Sequence, residues 1–182
     1  MHFSFGRRTF LALASSLMLA GCASMFGPSD TQLSGRFALS LSESDGGQSF
    51  SGHYRLNRTR EATRLELLSP VYTTVARIEA DGNGNNAVLW RGDKEAAKGA
   101  DIESLIKESF NIALPYKALE SWLEGEPAGR DARPKGPNAW SEQGWLVRVL
   151  RRNSAGKLTS LALSTDNDDA PVQVRLVLTL ER

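Results

Sequence analysis

From Leu33 onward, apolar and polar side chains alternate in a run that suits a half-buried β-strand. Leu33, Gly35, Phe37, Leu39 and Leu41 share one face; Ser34, Arg36, Ala38, Ser40 and Ser42 share the other. A period of two marks an antiparallel sheet with one wet side. After Asp45-Gly46-Gly47 the pattern resumes at Phe50, Gly52, Tyr54 and Leu56, so the two runs read as a hairpin. Residues 64–68 and 74–80 make a second pair around Ser69-Pro70, and 87–91 follow the turn Asp81-Gly82-Asn83-Gly84.

The period then changes. Asp101 suits an N-cap, and Ile102, Leu105, Ile106 and Phe110 fall on one helical stripe. Pro115 suits the first turn of a second helix, with Leu119, Trp122 and Leu123 on its apolar face and Gly125 at its stop. Residues 126–138 hold three prolines and two glycines and read as an irregular connection. Strands return at 145–150, 158–164 and 172–180. The order is five strands, two short helices, then three or four strands. A single antiparallel sheet of that size curls, and the helices can bury their stripes only against its open side. The expected fold is mainly β: an open, half-closed antiparallel barrel with an apolar cavity and a short α-helical lid.

The amino terminus carries a different kind of signal. Arg7 and Arg8 precede an apolar run from Phe10 to Ala20, which ends at Leu19-Ala20-Gly21-Cys22. The run is about half the roughly 20 residues a spanning helix needs, and its charged flank and small residues mark a secretory signal. Arg7-Arg8-Thr9-Phe10-Leu11 also suits a twin-arginine signal, and the general secretory route remains the alternative. Leu-Ala-Gly-Cys is similar to the bacterial lipoprotein signal. That resemblance implies cleavage before Cys22, a diacylglyceryl group on its thiol and an acyl chain on its new amine. Cys22 is the only cysteine, so no intramolecular disulfide competes for it. Two or more acyl chains anchor a protein firmly where one does not. The organisation expected is a signal peptide over 1–21, a lipidated tether over 22–31 and a single barrel domain over 32–182. No Asp stands beside Cys22 in Ala23-Ser24-Met25, which by resemblance to enterobacterial lipoproteins favours delivery to the outer membrane.

Composition narrows the function. Lys and Arg total 22 against 21 Asp and Glu, with no basic cluster, which gives no electrostatic reason to expect nucleic-acid binding. His53 is the one histidine beyond the leader, on the expected polar face, and no Gly-x-Ser-x-Gly elbow is present. Asp166-Asn167-Asp168-Asp169 lacks the Gly and Glu of a calcium loop and reads as a turn. No Cys or His cluster suits zinc. The chain is expected to be neither an enzyme nor a metal protein, and to carry no cofactor beyond the covalent lipid on Cys22.

Several segments resemble the LolB family of outer-membrane lipoprotein receptors. They are Gly35-Arg36-Phe37-Ala38, Leu67-Leu68-Ser69-Pro70, Trp122-Leu123-Glu124-Gly125-Glu126-Pro127 and Gly144-Trp145-Leu146-Val147, in the family's order. The chain departs in having Val71-Tyr72 where Leu-Gly is frequent, Tyr54 for a Trp, Val149 for a Tyr, and no Trp near Arg182. The resemblance implies a monomer that accepts lipoproteins from the periplasmic carrier LolA. It would then insert them into the inner leaflet of the outer membrane, which it faces from the periplasm. With no Walker-type nucleotide loop in the sequence, transfer must run downhill, because exposing acyl chains costs about 0.8 kcal/mol per methylene. The alternative is a structural or assembly lipoprotein that binds a partner protein through its apolar sheet face.

Two sets of residues are candidates. The acyl-chain cavity would draw on Phe37, Leu39, Tyr54, Leu65, Leu67, Trp90, Trp145 and Val147 from strands, and Leu105, Ile106 and Trp122 from the lid. Each could equally be plain core. At the hairpin tip, Pro70-Val71-Tyr72 puts an apolar residue and an amphipathic ring where turns favour small polar residues. The family's tip carries an exposed Leu that promotes cargo release, and Val71 is its nearest match. Alternatively, Val71 packs inward and Tyr72 begins the next strand.

Overall fold

The computed structural model describes residues 31–43, 46–166 and 172–181. The leader, Cys22, the tether up to residue 30, Asp45 and residues 167–169 of the acidic turn lie outside them. The alternating run becomes β1 (Thr31–Glu43), which pairs along its whole length with β2 (Gly46–Arg58). The chain then meanders through β3 (Ala62–Leu68), β4 (Thr74–Asp81), β5 (Asn85–Arg91) and β6 (Lys94–Asp101). Helices α1 (Ile102–Phe110) and α2 (Tyr116–Glu124) follow. The return path is β7 (Arg133–Gly136), β8 (Ala139–Glu142), β9 (Trp145–Arg152), β10 (Leu158–Thr165) and β11 (Gln173–Leu180). Because β11 pairs antiparallel with β1, all eleven strands join one sheet in the order β6-β5-β4-β3-β2-β1-β11-β10-β9-β8-β7. The ends β6 and β7 are not paired with each other, so the sheet is open.

Register gives that sheet one apolar face. Gly35 lies opposite Tyr54 and Leu180; Leu39 lies opposite Phe50 and Leu176. On one wing the row runs Leu56, Leu65, Ile78, Leu89, Ala97; on the other it runs Leu176, Leu163, Val147, Trp140. Of these, Tyr54, Ile78, Leu89, Trp140, Val147, Leu163 and Leu180 form one core with Ile102, Leu105 and Ile106 of α1 and Tyr116, Trp122 and Leu123 of α2, and Leu39, Leu65, Ala97 and Leu176 pack against it. The helices therefore occupy the inner side of the sheet.

Both helix starts and stops follow the residues. Asp101 caps α1 by accepting from the Ser104 backbone at 2.7 Å, and the Ser104 hydroxyl accepts from the Asp101 backbone in return. Gly125 ends α2 in the left-handed region at φ 80°, which glycine adopts without penalty. Pro115 stands just before α2, not inside its first turn.

Three expectations need correction. Six strands precede the helices, not five, and five follow them. The extra first-half strand is β6, whose Lys94-Glu95-Ala96-Ala97-Lys98 run lacks the branched residues that announce strands. Residues 126–138 are not wholly irregular, since β7 lies among them. Trp90 is the third: it faces away from the interior. Ala87 and Leu89 take the inner positions of β5, and Trp90 pairs with Arg77 on the outer face, where the guanidinium sits 5.3 Å from the ring centre.

Candidate functional site

Exposure along the inner side of β1 and β2 rises toward their turn. On β2, Leu56 and Tyr54 are buried, whereas Phe50 on the same face is 49% exposed. On β1, Gly35 is buried while Phe37, Leu39 and Leu41 are half-buried. On β1 and β2 the end nearer Thr31 is packed and the end nearer their turn is more exposed, whereas on the neighbouring β11 Val174, level with Leu41, stays buried, as does Val172 just before it. Helices explain the packed end. The α2 amino terminus lies beside the β4–β5 turn, where Tyr116 and Ile102 pack near Gly84. Farther along, Arg58 of β2 pairs with Glu120, and the Arg152 guanidinium donates to the Gly125 carbonyl at 3.1 Å. These contacts fix α2 across the end where β2, β4 and β9 have their turns.

A buried carboxylate ties the same helix to the β8 side of the gap. Glu142 is 2% exposed on the inner face of β8. It accepts from Trp122 Nε1 at 2.8 Å, Trp140 Nε1 at 3.2 Å, and the Ala128 and Gly129 backbone N–H groups. Burial pushes its carboxyl up, but these four donors outweigh that and hold it below the usual carboxylate range. Trp145 Nε1 donates to the Ala113 carbonyl at 2.9 Å, which seats the α1–α2 connection. Gly99 lets α1 approach β6, since a Cβ there would stand 2.8 Å from the Leu105 Cβ.

The anticipated cavity residues separate into two groups. Tyr54, Leu105, Ile106, Trp122, Trp145 and Val147 are buried in the shared core; Phe37, Leu39, Leu65 and Leu67 are half-buried on its margin. Trp90 is outside. A groove of about 430 Å³ lies elsewhere, between α1, the Ala113–Pro115 connection and Gln143, and none of the anticipated residues lines it. Phe50 and Glu142 were missed. Phe50 already stands in the β2 alternation, on the same face as Tyr54, and that shared face was the signal that could have placed it with the candidates. Glu142 had only the spacing Trp140-x-Glu142 to place it on an inward face.

At the β3–β4 tip, Val71 is 81% exposed and Tyr72 58% exposed, so neither packs inward. The Ser69 N–H donates to the Thr73 carbonyl at 2.8 Å, which closes the loop below Val71. Tyr72 sits at φ 63° and stacks on His53, with ring centroids 4.0 Å apart and planes at 20°. His53 belongs to the outer face of β2, so the ring is laid against the outside of the sheet while Val71 projects freely. Among the described residues, no group of three or more His, Cys, Asp or Glu could hold a metal ion, and no helix is long and apolar enough to cross a membrane.

An open antiparallel sheet with two helices against its inner face, an exposed Phe50 near the β1–β2 turn and a projecting β3–β4 tip defines the class as an unclosed β-sheet fold with a helical cover. Residues 29–179 match the family described as outer membrane lipoprotein LolB. The chain belongs to that family. It is 32% identical to the outer-membrane lipoprotein LolB of Bordetella pertussis over 93% of this chain and 89% of that one. With the protein of the same name from Cupriavidus metallidurans it shares 30% identity over 94% and 95%. A solved LolA superfamily protein from Nitrosomonas europaea aligns over 84% of each chain at 9% identity and a TM-score of 0.39, too loose a likeness to support an argument.

Proposed function

We propose that this chain is the receptor of lipoprotein delivery at the outer membrane. It takes acylated proteins from a soluble LolA-type carrier and releases them into the inner leaflet of the bilayer to which it is anchored through acylated Cys22. The mature protein begins at Cys22, is tethered through residue 31 and works as a monomer. It is a carrier and not a catalyst. The observation that supports this most is the inner side of β1 and β2: buried Leu56 and Tyr54 give way to exposed Phe50 and half-buried Leu39 and Leu41 at one end. An acyl chain entering there would cover apolar surface already exposed to water, at about 25 cal/mol per Å². A bilayer covers the chain more completely, so the cargo moves on without a nucleotide.

Val71 is the residue placed to help that last step, because Tyr72 is held by His53. Transfer tests the whole reading. A carrier loaded with a labelled lipoprotein is mixed with this chain in detergent-free vesicles, and the label is followed. It is expected to leave the carrier for this protein and then for lipid with no nucleotide added. Retention of the label on a carrier that does deliver to an established receptor would overturn the proposal.

A further inference from the structure

Val71 and Thr31, the first described residue after the expected anchor, stand at different heights along the sheet, and this limits how the molecule can sit on a membrane. Thr31, where the described chain begins, pairs with Arg58, whereas the tip follows Leu68, which pairs with His53. The tip therefore stands about seven residues along β1 from Thr31, or ~24 Å at ~3.4 Å per residue. Eight residues lie between Cys22 and Thr31, nine Cα–Cα steps. A chain of that length spans at most ~30 Å.

The β1–β2 hairpin adds a second limit. It runs on past the tip to Glu43 and Gly46, about five residues or ~16 Å beyond it. Residues 46–52 of β2 lie beyond the β3 pairing, so their β3-facing backbone groups have no ladder partner in β3. With strands upright on the membrane, this polar edge would have to enter the bilayer before Val71 touched it. Hydrocarbon does not tolerate unpaired backbone groups.

We infer that the domain lies on its side, with the outer face of β1–β3 against an anionic phospholipid surface. Two observations choose the outer face. Tyr72 is folded onto that face against His53, which carries the tip toward it. Arg36 and Arg55 are exposed there and make no ion pair among the described residues; Glu66, cross-strand from Arg55, is the acid nearest them in the register. In this pose Thr31 and Val71 both stand close to the headgroups, and the exposed inner end of β1 and β2 stays open to an incoming carrier. The inference rests on the anchored-receptor reading above.

The full lipidated chain suits the test, because Cys22 is its only cysteine and acylation blocks that thiol. A fluorophore is placed on Val71→Cys, Asn57→Cys or Ser154→Cys in phosphatidylethanolamine vesicles containing phosphatidylglycerol and a headgroup-bound quencher. Asn57 is on the outer face near the Thr31 end; Ser154 is in the β9–β10 turn. Labels at 71 and 57 are expected to be quenched several-fold more than the label at 154. Arg36→Glu with Arg55→Glu should lower quenching at 57 at least twofold, as should high salt. Quenching at 71 without quenching at 57 overturns the side-on pose and leaves the tip reading standing. Quenching at neither site refutes both. Quenching at 57 that ignores the charge reversal overturns the anionic docking face.

Discussion

Glu142 has an energetic role that its charge alone would not suggest. A buried carboxylate is costly unless its lone pairs are filled, and here two indoles and two backbone N–H groups fill them. Glu142→Gln keeps the volume but turns an amide NH₂ toward donors. We expect a loss of about 2–4 kcal/mol at neutral pH, read as a lower urea midpoint. Because its folded-state pKa is lowered, the stabilising contribution is present above the unfolded carboxylate value, near pH 4.3. It is lost as pH falls through the folded value. Wild type should thus lose stability below about pH 4 more steeply than Glu142→Gln; parallel acid limbs in urea titrations would contradict this assignment. Val71 is the opposite kind of residue, with no packing to lose. Val71→Glu should leave the melting temperature within about a degree or two while slowing cargo entry into vesicles; unchanged entry would remove the tip from the mechanism.

Among the elements, α1 shows why some of the fold was legible and some was not. Its stripe and cap were plain in Asp101, Ile102, Leu105 and Ile106. The strand it covers was hidden for a physical reason: Ala97 and Gly99 face inward on β6 because α1 needs that space. Small residues at the contact erase the hydrophobic alternation that reveals a strand. Gly99→Val should therefore push α1 off β6 and cost about 1–3 kcal/mol, with faster proteolysis between Phe110 and Pro115. An unchanged stability and cleavage pattern would mean that the close approach is not needed. Its counterpart β7 was hidden by Pro134, which cannot donate to a ladder and is tolerated at an edge. Trp90 failed differently. Ala87-Val88-Leu89-Trp90 is apolar throughout, so periodicity cannot choose a face, and only the pairing of Leu89 with Ile78 does. The candidate site was legible where one face alternates, as at Tyr54 and Val147, and illegible where a polar residue turns inward, as at Glu142.

At the scale of the whole molecule, the chain combines a folded carrier with a membrane address, and the two are separable. The apolar rows, helices and tip all lie in residues 31–181, while the residue expected to carry lipid lies nine positions before them. No described helix could span a bilayer, and a tip of one valine and one stacked tyrosine offers too little apolar area for lasting attachment; even a single myristoyl chain holds a protein only reversibly. On the proposed anchored reading, retention at the membrane depends on Cys22. Exported Cys22→Ala is expected in the soluble periplasmic fraction, with its melting temperature unchanged because position 22 precedes the described domain. It should still draw labelled cargo from a carrier, since the inner side of β1 and β2 is intact. Delivery to lipid should become dependent on vesicle concentration, because the receptor no longer rides on its target surface. Firm membrane attachment of the variant would refute the lipid anchor, and soluble protein that could not take cargo would show that acceptance itself requires the bilayer.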